Sequence, residues 1–291
     1  MEYVRPSSIK EAIDALTEFG EGAKLIAGGQ SLLAFMKQGM FEPDALVSLS
    51  GIPELKEVEI DEDGSLSIGA MVTHTEIMHH PLILEHAPLL AETAGKVAST
   101  QIRNMGTWGG NLSHGEPGAD PPAALIASNA TVKITGPEGT RAIPVEDFFV
   151  DYLTTDLNPG EILTHIIVPV QPENCGTAYI KHTIRDNGDL AIVGIGVRVT
   201  MDKSRTLIQD ARIGINGASL TTIRAKEAEK LLNGNVWDEN LLAAAGEQSA
   251  DACEPLDDAE ASAEYRIKMV KVLVRRALKQ AIDAAVAEKA Y

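Results

Sequence analysis

Cysteine is scarce: Cys175 and Cys253 are the only two, far apart in the chain. Two thiols cannot supply the four thiolates of a typical iron–sulfur cluster, nor a cysteine-rich zinc site. Reduced thiols in such low number suit a cytoplasmic protein. Basic residues are outnumbered, 25 Lys and Arg against 42 Asp and Glu, for a net charge of −17 and a pI near 4.8. Nucleic acid and anionic membrane are poor partners for such a chain, because both require basic patches. No apolar run reaches the roughly 18 residues of a membrane span. The opening MEYVRPSSIKEA lacks the apolar core of a signal peptide. Repeats and low-complexity tracts are absent. So are an H-E-x-x-H motif and a Cys/His cluster. His74, His79, His80, His86 and His114 therefore read as ordinary histidines rather than a metal set. Nor is there a readable nucleophile–base pair or pair of catalytic carboxylates.

What the chain does contain is more than one typical domain of 291 residues, 44% of them hydrophobic. Its most informative stretch is Ile102 to Ala124, IRNMGTWGGNLSHGEPGADPPAA, crowded with glycine and proline. Ordinary core helices and strands tolerate neither in such density, so the stretch reads as a shaped loop. Glycine-rich loops let backbone N–H groups approach a phosphate closely. A second glycine turn, AGGQS at Ala27 to Ser31, lies between a strand-like and a helix-like run. Alone it is as readily a plain left-handed turn. Two such loops together suggest a dinucleotide with two phosphates. Trp108, inside TWGGN, reads as a packing anchor, whereas Asn111 carries an amide that can donate to a phosphate oxygen. Asp120 reads as a helix cap or a ligand contact.

The remaining pattern organises the chain. Ser8 and Glu11 have capping-box spacing, with Ile9, Ala12, Ile13 and Leu16 on one helical face and Gly20 as a stop. Residues 24–27 and 45–49 read as strands flanking a helix over 32–37, a small βαβ-like unit closed near residue 55. Strands are expected over 65–70, 130–135 and 161–168, helices over 73–79, 84–98 and 122–129, and a hairpin turn at 137–139. Residues 169–176 read as the best linker. Beyond it come strands over 191–200 and 212–216, then helices over 222–232, 240–252 and 261–287. The last pairs an apolar face (Ile267, Val270, Val274, Leu278, Ile282) with a basic one (Lys268, Lys271, Arg275, Arg276, Lys279). That basic face is either wet surface or a seat for an acidic partner.

Four blocks carry a family resemblance: KLIAGGQSL (24–32), QIRNMGTWGGNLSHGEPGADPPAAL (101–125), EDFF followed by TDLNPGEIL (146–163), and YIKHTIRDNGDLAIVG (179–194). In this order the chain resembles the FAD-binding medium subunits of molybdenum hydroxylases, and the flavin domain of xanthine dehydrogenases. The resemblance implies an α+β chain with a p-cresol methylhydroxylase-type FAD-binding fold. Two α+β subdomains, 1–55 and 56–175, would be followed by a C-terminal antiparallel sheet-and-helix domain, 176–291. It implies that the backbone of Leu25, Ile26, Ala27, Gly28, Gly29, Gln30, Ser31 and Leu32 holds the FAD pyrophosphate, with the Ser31 hydroxyl assisting. Thr107, Gly110 and Asn111 would hold phosphates and ribitol from the other side. Asp120 would take a polar group on the adenosine side, Val97 would pack near the cofactor, and Leu163 and Lys181 would line the site. Gln30 stands where several relatives have histidine or asparagine, and Leu190 where they often place an aromatic residue near the flavin ring.

The resemblance further implies an electron-transfer subunit without catalytic residues of its own. A molybdenum-cofactor large subunit and a small subunit with 2Fe–2S clusters would be its partners, in a dimer of heterotrimers. Two other readings are a self-contained flavin reductase or oxidase, such as a UDP-N-acetylenolpyruvoylglucosamine reductase-like enzyme, and a non-catalytic assembly subunit that has lost FAD.

Overall fold

The computed structural model describes residues 1–185 and 188–287. The chain opens with β1 (Glu2–Val4), α1 (Ile9–Phe19), β2 (Ala23–Ile26), α2 (Leu32–Lys37) and β3 (Ala45–Ser48). The three strands form a parallel sheet in the order β1-β3-β2. β1 escapes sequence reading because two of its three residues are exposed and it shows no alternation. Ser8 caps α1 by accepting from the Glu11 N–H, and Gly20 ends it at φ 56. The Glu11 carboxylate, however, accepts from the N–H and hydroxyl of Ser7, so the reciprocal half of the box is displaced by one residue. Ala12, Ile13 and Ala15 pack with Val47 and Leu49. Burying a side chain such as Ile13 stabilises by roughly 1.5–3 kcal/mol.

The middle of the chain is a five-stranded sheet covered by short helices. Its elements are β4 (Val58–Ile60), β5 (Leu66–Gly69), α3 (His74–His79), α4 (Pro81–His86), α5 (Pro88–Gly95), α6 (Thr100–Met105), α7 (Trp108–His114) and α8 (Asp120–Ala127). They continue with β6 (Thr131–Gly136), β7 (Gly139–Pro144), α9 (Val145–Phe148), β8 (Phe149–Asp151), β9 (Thr154–Thr155) and β10 (Ile162–Val168). The sheet order is β4-β5-β10-β6-β7, with Pro137 to Gly139 closing the β6–β7 hairpin.

Two expectations need correction here. The single helix over 84–98 is two helices, because Pro88 starts α5 after Ala87 leaves helical geometry at φ −144, ψ 56. Proline lacks the N–H a continuing helix needs but suits a first turn. The stretch Ile102 to Ala124 is not one loop either. It is the end of α6, all of α7 and the start of α8, with turns at Gly106 and at Gly115–Ala119 between them. Gly109 sits inside α7 because that helix presses on Ala70, the residue after β5: a Cβ there would lie 2.4 Å from the Ala70 Cβ. Pro121 and Pro122 fall in the first turn of α8, where no intrahelical donor is required.

The third unit comprises β11 (Cys175–His182), β12 (Val193–Met201), β13 (Ile208–Asn216) and β14 (Ile223–Arg224), followed by α10 (Lys226–Leu232), α11 (Glu239–Asp251) and α12 (Ala263–Val286). β11 begins at Cys175, so the connecting segment is shorter than the sequence suggested. The sheet is antiparallel in the order β11-β12-β13-β14. One face, with Val193, Ile195 and Val197, packs on Val270, Val274, Leu278 and Ile282 of α12. The basic face of α12 is matched largely by the chain's own acids: Lys268 pairs with Glu264, Lys271 with Glu247, Arg275 with Glu239 and Lys279 with Asp283. Exposed pairs of this kind stabilise by about 1 kcal/mol or less.

The other sheet face receives α8. A Cβ at Gly196 or Gly214 would lie 2.6 or 2.3 Å from the Ala123 carbonyl oxygen. These strand glycines admit a helix backbone at close range, and all eight residues of α8 are buried. No described helix is long and apolar enough to cross a membrane.

Candidate functional site

A cleft of about 900 Å³ runs between the first sheet unit and the α6–α7 region. Its first wall carries Leu25, Ala27, Gly28, Gly29, Gln30, Ser31 and Leu32. Facing them are Thr107, Gly110 and Asn111, with Val97, Asp120 and Leu163 completing the lining. Two residues expected here are not on its surface. Ile26 is the last residue of β2 and lies behind the Gly29 turn. Lys181 stands behind Asp120, on β11.

The first wall is built for close approach. A Cβ at Gly28 would sit 2.0 Å from the Met105 carbonyl oxygen, so the two glycine segments touch backbone to backbone. Gly29 has φ 69, which glycine alone adopts without strain. Among the described residues, no acceptor takes the N–H of Gly28, Gly29, Gln30 or Ser31. The Ser31 hydroxyl makes no capping bond to α2, and the Gln30 amide folds back onto the Gly28 carbonyl at 2.9 Å. Successive free N–H groups around a left-handed glycine form a concavity for anionic oxygens.

The second wall differs from expectation. Most of its backbone donors are already committed: Trp108 N–H to the Val72 carbonyl at 3.0 Å, Gly109 to Ala70 at 3.0 Å and Asn111 to Thr107 at 2.9 Å. The Gly110 N–H donates to Thr107 Oγ1 at 3.2 Å. What remains for a ligand is the Thr107 N–H, which no described residue accepts, and two side chains: the Thr107 hydroxyl hydrogen and the Asn111 amide, whose Oδ1 is buried without a partner. Gly110 has no left-handed φ. A Cβ there would meet the Thr107 cap at 2.8 Å and Ala27 Cβ at 3.4 Å.

Asp120 belongs to the same lining. It is not the cap of α8; Ala119 holds that position and Asp120 is the first helical residue. Its carboxylate is 3% exposed, and accepts from the Tyr179 hydroxyl at 2.6 Å and the Lys181 ammonium at 2.7 Å. Lys181 also donates to the Lys96 carbonyl. Burial pushes the Asp120 carboxyl above its ordinary value, against the pull of Lys181 and Tyr179. Burial, with the neighbouring carboxylate, holds the Tyr179 phenol protonated well above its usual range. Tyr179 also lies 3.2 Å from Asn216 Oδ1, two acceptors for one hydroxyl hydrogen. Turning the Asn216 amide over presents its Nδ2 donor, which otherwise lacks a partner, to the phenol oxygen. Sequence reading missed Tyr179. The available signal was its alternation with Lys181, two residues on and on the same strand face.

His74 was missed as well. It lines the cleft, is 2% exposed, and is pushed down to about 4, first by burial and then by Arg103. Among the described residues no group of three or more His, Cys, Asp or Glu is placed to hold a metal ion. Leu190 sits half-exposed on the cleft lip. Asp186 and Asn187 of the fourth sequence block lie outside the described residues.

The chain is similar to known proteins in both sequence and structure. Residues 1–171 match the family model described as the FAD binding domain in molybdopterin dehydrogenase, and residues 178–281 the CO dehydrogenase flavoprotein C-terminal domain. The chain is 38% identical over 281 residues to the carbon monoxide dehydrogenase medium chain of Afipia carboxidovorans, covering 96% of each chain. It superposes with a TM-score of 0.94, at 35% identity and 98% coverage of both chains, on a carbon monoxide dehydrogenase from Hydrogenophaga pseudoflava that lacks the Mo-pyranopterin moiety of its molybdenum cofactor. Quinoline 2-oxidoreductase from Pseudomonas putida 86 gives a TM-score of 0.92 at 31% identity, covering 99% of this chain and 98% of the other.

Proposed function

The chain belongs to the molybdopterin-dehydrogenase FAD-binding family, and from that premise we propose that it is the electron-transfer subunit of a molybdenum hydroxylase. In this reading it takes electrons from 2Fe–2S clusters of a small partner subunit and passes them to an external acceptor. A molybdenum-cofactor large subunit performs the hydroxylation, and the assembly is a cytoplasmic dimer of heterotrimers. The three units 1–55, 56–175 and 176–291 are its domains.

The observation that carries the reading is the cleft between two glycine walls, one with four uncommitted backbone donors. That donor set fits a pyrophosphate. Bound FAD supplies the exchange between one-electron and two-electron transfer. The chain's own residues do the rest by position. Gly28 to Ser31 bind phosphate oxygens, Thr107 and Asn111 bind from the facing wall, and Val97 and Leu163 exclude water. Asp120, held by Tyr179 and Lys181, accepts a hydrogen bond from the adenosine side of the ligand. With no acid, base or nucleophile assigned, the substrate belongs to the partner.

The purified chain is expected to be yellow, and acid precipitation to release all of the colour, because no cysteine among the described residues lines the cleft and its two lining histidines, His74 and His114, are read as noncovalent neighbours of the flavin. Flavin retained on the denatured protein contradicts this. A colourless chain that takes up no added FAD removes the functional reading. Pull-down from native cells should recover both partner subunits. Substrate turnover by the lone chain would instead favour a self-contained reductase.

Gly110→Val tests the second wall. The added side chain displaces the Thr107 cap and narrows the cleft against Ala27. Losing the cap costs about 1 kcal/mol, so the variant should fold, melt a few degrees lower and hold little FAD. Normal FAD occupancy removes the assignment of that wall.

A further inference from the structure

Neither the fold nor the contacts assigned above use His74. It opens α3 directly after the capping residue Thr73. Its backbone N–H donates to the Gly106 carbonyl at 3.0 Å. The ring packs against Gly106, where a Cβ would lie 3.1 Å from Cδ2 and 3.4 Å from Nε2. The Trp108 ring is 6.3 Å away, centroid to centroid. Gly106 follows Met105, whose carbonyl abuts Gly28, and precedes Thr107. The imidazole therefore lies at the seam where the two glycine walls meet.

A neutral imidazole carries one donor and one acceptor. In this structure no hydrogen bond is made by either ring nitrogen, and Nδ1 is fully shielded without a partner. Leucine would fill the same space without leaving polar atoms unpaired, so packing alone does not account for histidine. The charged groups around it do not supply a partner. Arg103 of α6 is tied to the carbonyls of Val97 and Ala98. Glu76, on the same helix, is committed to the N–H and hydroxyl of Thr73. Nε2 is not among the fully shielded atoms, and His74 lines the cleft.

We propose that His74 gives a hydrogen bond to the phosphate–sugar part of bound FAD, at the junction of the two glycine walls. The proposal rests on the FAD reading above and names a further residue of that site.

The test is titration of the FAD-free full chain with FAD, followed by flavin fluorescence, for wild type, His74→Leu and His74→Gln. Loss of one hydrogen bond weakens binding by up to about tenfold. The leucine variant should bind about tenfold more weakly, and glutamine, which keeps a donor and an acceptor, within about threefold of wild type. Without FAD, the leucine variant should melt no lower than wild type, since it removes an unpaired polar group. Equal affinity for all three overturns the proposal. Equal weakening in Leu and Gln overturns it too, because that pattern marks packing. If leucine does not fold, His74→Asn, shorter by one carbon, replaces it: weakening with Asn but not Gln supports the bond, and equal binding by both overturns it. A wild-type chain that takes up no FAD removes the functional reading itself, a result distinct from any difference among the variants.

Discussion

Gly28→Ala is expected to reduce FAD affinity by at least about a hundredfold, the largest effect of any single methyl group in the cleft. The added carbon would be placed 2.0 Å from the Met105 carbonyl oxygen and 2.8 Å from its carbon. Both are backbone atoms, so no side chain can swing away. The walls must part, and the donors of Gly28 to Ser31 lose their alignment with the facing hydroxyl and amide. Overpacking of this kind costs about 1–3 kcal/mol in stability, which a chain with three hydrophobic cores can survive. Gly95→Ala is the control, since its Cβ would meet only the Met78 methyl at 3.7 Å. Fluorescence titration of both variants measures the effect. Gly28→Ala binding as tightly as Gly95→Ala would show that the two glycine segments do not form one site.

Lys181→Met should produce the largest loss of stability. The ammonium is 10% exposed and the Asp120 carboxylate it meets is 3% exposed. Removing one partner of a buried pair costs about 3–5 kcal/mol, because the other charge is left uncompensated. The effect has a definite pH dependence. Burial already raises the Asp120 carboxyl, and without Lys181 it rises further above the unfolded value of about 3.9. A carboxyl raised on folding binds its proton more tightly in the folded chain. Stability therefore falls as pH climbs from about 4 to the folded value, then levels off. The deficit of the variant should be larger at pH 8 than at pH 5, and adding Asp120→Asn should recover much of it. Denaturant unfolding at the two pH values measures this. A deficit independent of pH would mean that Lys181 acts through its packed stem and not through its charge.

Sequence sufficed wherever a signal is local. The capped helix α1 and the glycine turn at Gly29 depend on near neighbours, and so does the apolar face of α12. The four motif blocks in order were enough to name the family. Sequence reading failed where glycine and proline serve contacts between distant segments. Ile102 to Ala124 looked like a loop because Gly109 has no local purpose. Its purpose is Ala70, about forty residues earlier.

The amino-acid sequence by itself determined that this chain cannot supply the four thiolates of a typical iron–sulfur cluster, and it marked out the two glycine segments. Tertiary structure alone decided how they are used. Contact with Val72 and Ala70 commits the backbone donors of Trp108 and Gly109, leaving mainly the hydroxyl of Thr107 and the amide of Asn111 to face the cleft. α8, lying on Gly196 and Gly214, brings Asp120 to Tyr179 and Lys181, about sixty residues away. Burial raises the Asp120 carboxyl and the Tyr179 phenol and lowers the His74 imidazole. Desolvation depends on what surrounds a group in space, and residue spacing along a chain does not carry that quantity.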